Sequence, residues 1–196
     1  MADIVQVRRA RADEAPALAR LMQLYLHDFS AFAPFDSRYG ELDGDGLFAY
    51  AHLGAYWSEP RRELLLVRVS GRLAGFVLVN DWSASGLPVD FAIAVFFIAR
   101  KFCRRGLGTE AARQVIAARE GQWEVAVLAV NEPALTFWRR VLPSAHSGAI
   151  DVIESDSARW RATIFRFANG PNVGRACAPR GLTVLTSRTP GRSRSP

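Results

Sequence analysis

The residues best suited to chemistry lie in one short segment, Cys103-Arg104-Arg105-Gly106-Leu107-Gly108-Thr109. It follows the apolar run Val89–Ile98 and precedes apolar residues at helical spacing: Leu107, Ala111, Val115 and Ile116. Glycines let the backbone turn tightly and approach a ligand closely. The first N–H groups of the following helix have no intrahelical acceptor, and the helix dipole favours an anion there. Arg104 and Arg105 add positive charge beside it. A pyrophosphate suits such a turn. The segment is not a Walker A loop, because no Gly-Lys-Ser/Thr follows, and it lacks the third glycine of G-x-G-x-x-G. A bare βα turn is the alternative reading.

The elements that must position this turn follow from apolar spacing. Ile4–Val7 is predicted as a first strand and Asp13 as the N-cap of a helix carrying Leu18, Leu21, Met22, Tyr25 and Leu26. A short helix is predicted around Leu47–Trp57. Glu63–Val69 and Leu73–Asn80 flank Ser70-Gly71 as a hairpin. Val89–Ile98 reads as a strand covered on both faces. The helix from Leu107 closes at Gly121, and Trp123–Val130 is a strand. Asn131 caps the next helix, with Pro133 in its first turn. Ile150–Ile153 and Thr163–Phe167 are the last strands. The order β-α-α-β-β-β-α-β-α-β-β is an α/β layer fold.

Of 196 residues, 49% are hydrophobic and 22% charged, which excludes a wholly disordered or collagen-like chain. The net charge is +6, yet residues 171–196 hold five arginines (175, 180, 188, 192, 194) and no acid, leaving +1 for residues 1–170. The chain therefore divides into a nearly neutral domain, 1–170, and a basic tail, 171–196, whose Pro/Gly/Ser/Thr/Arg composition predicts disorder. The arginines are too sparse to argue for a nucleic-acid partner. Two cysteines, Cys103 and Cys177, make no disulfide framework, and the three histidines are isolated, so no metal site is expected. No apolar run is long enough to span a membrane, and the N-terminus lacks a signal-peptide pattern; the expected compartment is the cytoplasm.

Two motifs together resemble the GNAT family of acetyl-CoA-dependent N-acyltransferases, including bacterial members. The first is a strand (Phe96-Phe97-Ile98) with a turn of the type Gln/Arg-x-x-Gly-x-Gly/Ala, here Cys103-Arg104-Arg105-Gly106-Leu107-Gly108. The second, one helix and one strand later, is Asn-x-x-Ala-x-x-aromatic-aromatic: Asn131, Ala134, Phe137 and Trp138. The resemblance covers about residues 4–167 and implies a mixed sheet of about seven strands flanked by about four helices. It implies that main-chain groups of Phe96, Phe97 and Ile98 bind the pantetheine arm of acetyl-CoA. N–H groups of Arg104, Arg105, Gly106, Leu107, Gly108 and Thr109 would bind its pyrophosphate. Asn131 would contact the arm or the reacting end, and Ala134 and Phe137 would flank the arm.

Three departures bear on the chemistry. Cys103 stands where Gln or Arg is usual, Trp138 where many members carry a proton-donating Tyr, and Phe91–Ile98 contains no carboxylate base. Alternation groups Asp90 with Ala92, Ala94, Phe96 and Ile98, making Asp90 a candidate base acting through water. By resemblance the first helices and their loop form the acceptor wall, read from Asp28 to Asp45, with Asp28, Tyr39 and, further on, Trp57 as candidate contacts. Asp28, Asp36, Glu41, Asp43 and Asp45 stand there against Arg38 alone, which suits a cationic acceptor, either a small molecule or a peptide amine. The resulting expectation is direct acetyl transfer to a primary amine, without a covalent role for Cys103. The rival expectations are an acyl-CoA sensor of the same fold and nucleic-acid binding through the tail. Pairing through the last strands into a homodimer is expected by analogy only.

Overall fold

The computed structural model describes residues 3–32, 40–157, 160–170 and 185–186. Strand β1 (Val5–Arg9) leads through a 3-10 turn at Ala12–Glu14 into α1 (Ala15–Ser30). After α2 (Ala55–Ser58) come β2 (Glu63–Val69), β3 (Arg72–Asn80) and β4 (Phe91–Ile98). Helix α3 (Leu107–Ala117), β5 (Gly121–Leu128) and α4 (Glu132–Ala145) precede β6 (Ile150–Ser157) and β7 (Trp160–Asn169). A two-residue strand β8 (Leu185–Thr186) pairs parallel with Ile153–Glu154 of β6. The rest of the tail lies outside the described residues.

The sheet order is β1-β2-β3-β4-β5-β7-β6-β8, antiparallel except at β4–β5 and β6–β8. Helices cover both faces. Leu18, Leu21, Met22 and Leu26 of α1 pack with Tyr56 on Leu64, Leu66, Phe76, Leu78, Val95 and Phe97. On the other face α3 and α4 bury Val115, Ile116, Trp138 and Val141 against Val77, Ile93, Trp123 and Phe165. Strand β4 contributes to both cores, as its unbroken apolar run predicts. Gln114 of α3 closes the free edge of β1, accepting from the Val7 N–H at 3.2 Å and donating to the Val5 carbonyl at 3.1 Å.

Local boundaries differ from the sequence expectation for physical reasons. Asp13 does not cap α1; it sits in the 3-10 turn and pairs with Arg11, and Pro16 occupies the first turn after Glu14. The helix expected across Leu47–Trp57 is confined to Ala55–Ser58. Helix α3 ends at Ala117, and Gly121 instead opens β5 at φ +150°, where a Cβ would stand 2.7 Å from Asp90 Oδ2.

Glu14 is buried and accepts from Arg8 at 2.6 and 2.7 Å, from Arg68 at 3.0 Å and from the Arg11 N–H at 3.0 Å. The Arg8 hydrogen bonds, followed by the Arg11 N–H, hold its carboxyl well below the ordinary value of 4.5. A depressed folded-state value stabilises the fold above the unfolded-state value and loses that contribution as pH falls. Glu14→Gln is therefore less stable than the parent at pH 7, and the gap narrows as pH drops below 4.5; urea unfolding across pH checks this, and a pH-independent gap would count against it. A Cβ at Gly75 would stand 2.0 Å from the Phe97 carbonyl oxygen. Gly75→Ala thus forces β3 from β4 and should lose at least about 1–3 kcal/mol in denaturant titration.

Candidate active site

The site begins where β4 and β5 separate. Their parallel ladder has three pairs, Phe91–Trp123, Ala92–Glu124 and Ile93–Val125, and then stops. Beyond it, the main-chain groups of β4 residues 94–98 that face β5 have no strand partner, although β4 stays paired with β3 as far as Ile98. The opening is flanked on the α3/α4 side by aromatic rings. Phe96 lies 5.5 Å from Phe137 and 5.2 Å from Trp138, ring centre to ring centre. A Cβ on Gly108 would touch Phe137 at 3.4 Å and Ile98 at 3.7 Å, so turn, strand and α4 meet at one place.

At the turn, Arg104 (φ +61°) and Gly106 (φ +76°) adopt left-handed conformations. The backbone N–H groups of Arg104 through Thr109 donate to no acceptor among the described residues; the first helical bond runs from the Glu110 N–H to the Gly106 carbonyl. Consecutive free N–H groups at a helix N-terminus form a concavity for an anion. Arg105, expected to reinforce it, is engaged elsewhere and pairs with Asp3 at 2.7 Å. Nearby Arg100 is likewise taken up, by Asp28 at 2.6 Å. The free main-chain N–H groups, more than the arginine side chains, are thus what suits this turn to an anion.

Cys103 donates its thiol hydrogen to the Ile98 carbonyl at 3.3 Å. Burial raises its pKa, which disfavours the thiolate and agrees with a non-nucleophilic residue. Asn131 caps α4 through Oδ1, accepting the Ala134 N–H at 3.1 Å. Its Nδ2 has no partner among the described residues.

Asp90 does not fit the role of base. A bulge displaces the register between Leu78–Val95 and Val79–Ile93 and leaves Ala94 unpaired. Alternation is broken there: Ile93 and Phe96 pack on the α3/α4 face, while Val95 and Phe97 pack on the other. Asp90 therefore does not share the face of Phe96 and Ile98. Its carboxylate accepts the Gln122 N–H at 2.7 Å and pins the start of β5, with the closed part of the ladder between it and the opening.

The acidic stretch is engaged in part: Asp28 and Asp43 have partners, while the carboxylates of Glu41 and Asp45 are exposed with none among the described residues. Besides Arg100, Asp28 faces His27 at 3.6 Å, and Asp43 binds the Asp45 and Leu47 N–H groups of its own turn, both at 2.9 Å. Trp57 is partly exposed on α2. Asp36, Arg38 and Tyr39 lie outside the described residues.

The network around Glu124 was not foreseen. Glu124 is 1% exposed and accepts from Ser83 Oγ at 3.3 Å, Ala84 N at 2.9 Å, Ser85 N at 3.3 Å, Ser85 Oγ at 2.5 Å and Arg166 Nη1 at 2.6 Å. Arg166 also donates to the Pro88 carbonyl, so both charges hold residues 83–88 against the sheet. Asn80 begins the same segment, accepting the Trp82 N–H at 3.1 Å and donating to Tyr56 Oη at 2.9 Å. The available signal was a lone acid in Trp-Glu-Val and a lone base in Phe-Arg-Phe, opposite charges in two apolar strands. Among the described residues no cluster of His, Cys, Asp or Glu is placed to hold a metal ion, and no helix is long and apolar enough to cross a membrane.

No curated protein matches the chain in sequence. Solved structures do match in fold. An acetyltransferase from Thermus thermophilus aligns with TM-score 0.58 and 15% identity, covering 84% of this chain and 97% of the other. The ribosomal-protein-S18-alanine N-acetyltransferase from Escherichia coli aligns at 0.53 and 11%, covering 89% and 100%. A Salmonella typhimurium protein assigned as an acetyltransferase, solved with acetyl-CoA, aligns at 0.53 and 14%, covering 89% and 99%. The model of the GNAT acetyltransferase family matches residues 18–142, from the core of α1 to the core of α4. That span includes the parted strands and the turn with free N–H groups, and the chain belongs to the GNAT acetyltransferase family, which draws its acetyl group from acetyl-CoA.

Proposed function

We propose that this chain is an N-acetyltransferase that moves an acetyl group directly from acetyl-CoA to a primary amine. The observation that carries this reading is the interrupted β4–β5 ladder beside a run of six unpartnered N–H groups. The N–H groups of Arg104 through Thr109 suit the pyrophosphate, and the free edge of 94–98 suits the amide-bearing pantetheine arm as an added strand. Phe96, Ile98, Ala134 and Phe137 would flank the arm, and Asn131 Nδ2 is free to donate to it. The co-substrate supplies an activated thioester. The amine nitrogen forms the C–N bond as the C–S bond breaks; water takes the amine proton and returns one to the thiolate.

That chemistry rests on positioning. Holding two reactants in attack geometry contributes the larger part, and a main-chain N–H can polarise the carbonyl. No carboxylate at the opening and no tyrosine at position 138 are required. The same two features favour one other reading, a module that binds acyl-CoA without turnover.

Two measurements test the proposal. Calorimetry with acetyl-CoA should show Gly108→Glu weakening binding by at least about tenfold, because the new side chain enters the contact between the turn and Phe137. Unchanged affinity in a folded variant removes the assigned site. Thiol release over an amine panel should show turnover that persists in Cys103→Ala; tight acetyl-CoA binding with no turnover on any amine favours the sensor.

A further inference from the structure

With the co-substrate on the α3/α4 side, the acceptor approaches from the opposite face. The layer formed by α1 and α2 stops at β4, since its core takes strand residues only from β2, β3 and β4. Past that limit, residues 83–88 are held onto β5 and β7 through Glu124 and Arg166. Where the strands part stand three alanines: Ala92, the bulged Ala94, and Ala126, whose neighbour in register is Ile164. Glu124, in register with Ala92 on the same face, is buried under residues 83–88 and occupied by its five donors.

Four described acids around the approach are occupied: Asp81 pairs with Arg61 at 2.8 Å and Glu59 with Arg62 at 2.5 Å, and Asp28 and Asp43 have the partners given above. The carboxylates of Glu41 and Asp45 are exposed without a partner among the described residues. Large apolar side chains are exposed there as well. Of the eight exposed large apolar residues among those described, five (Leu42, Leu47, Trp57, Trp82 and Leu87) stand on the two segments bordering this approach. The Tyr56–Asn80 and Arg61–Asp81 contacts join those segments into one rim. Exposed apolar side chains gathered on one rim mark a binding surface, whereas scattered ones do not.

Resting on the N-acetyl-transfer reading, we infer that the acceptor is a primary amine carried on an apolar, aromatic body. The amine enters over the three alanines, and its carbon framework packs on the rim that includes Trp57 and Trp82.

The test compares kcat/KM for phenethylamine and tryptamine with that for spermidine and free lysine, using the full chain and acetyl-CoA. Aromatic amines should lead by at least about tenfold. Their kcat/KM should change little between about 0.05 and 0.5 M salt, where attraction between exposed charges is screened. Trp57→Ala and Trp82→Ala should each raise the aromatic-amine KM and leave acetyl-CoA affinity by calorimetry unchanged. A preference for spermidine that weakens with salt overturns this inference while leaving acetyl transfer intact. An aromatic preference untouched by both tryptophan variants overturns the assigned rim. Acetyl-CoA binding without turnover of any amine overturns the transfer reading, and this inference with it.

Discussion

Two parallel strands that hold together for three residue pairs and then part are the constraint on which the rest of this structure depends. A broken ladder leaves main-chain donors and acceptors without partners, which a protein interior tolerates poorly. The surrounding architecture secures each side. β4 is fastened to β3, where Gly75 permits backbone contact closer than any side chain would allow. β5 is fastened to β7 over eight consecutive pairs, Gly121–Asn169 to Leu128–Ala162. Phe96, Phe137 and Trp138 pack along the gap, so the opening is a built feature with a free hydrogen-bonding edge and apolar walls.

Charge in this molecule serves architecture more than recognition. Glu14 joins β1, α1 and β2 through Arg8 and Arg68, and Glu63 ties β2 to the end of α3 through Arg119 at 2.6 Å. Glu124 and Arg166 anchor a loop without regular structure. A buried ion pair is a weak source of net stability beside an apolar substitute, but its directional bonds hold a loop in a single place. The turn before α3 instead presents free main-chain N–H groups, whose direction is set by the turn and by the start of α3.

Much of the scaffold was legible because it rests on local rules. Apolar runs and helical spacing located all seven longer strands and α1, α3 and α4 to within a few residues. Asn131 was readable as a cap because capping needs only a side-chain oxygen and an N–H three residues on. Asp90 was misplaced because alternation assumes an unbroken strand, and the bulge at Ala94 depends on register with β3. The charge census at 28–45 counted carboxylates but not their partners: Arg100, which pairs with Asp28, lies far along the chain, and only folding brings the two together.

By itself, the sequence determined the order of elements, the two-sided burial of β4, and the turn whose glycines and following helix leave main-chain N–H groups free. Each follows from residue types within about a dozen positions, where periodicity, glycine freedom and capping act. Only the tertiary structure decided where β4 and β5 part, which acids remain free, and which residues border the approach from the α1/α2 face. Those outcomes depend on pairing between residues distant in the chain, such as Glu124 with Ser83, 41 positions apart, and Asp28 with Arg100, 72 apart. A one-residue change of register reverses the face of every side chain beyond it, so no local pattern can specify them.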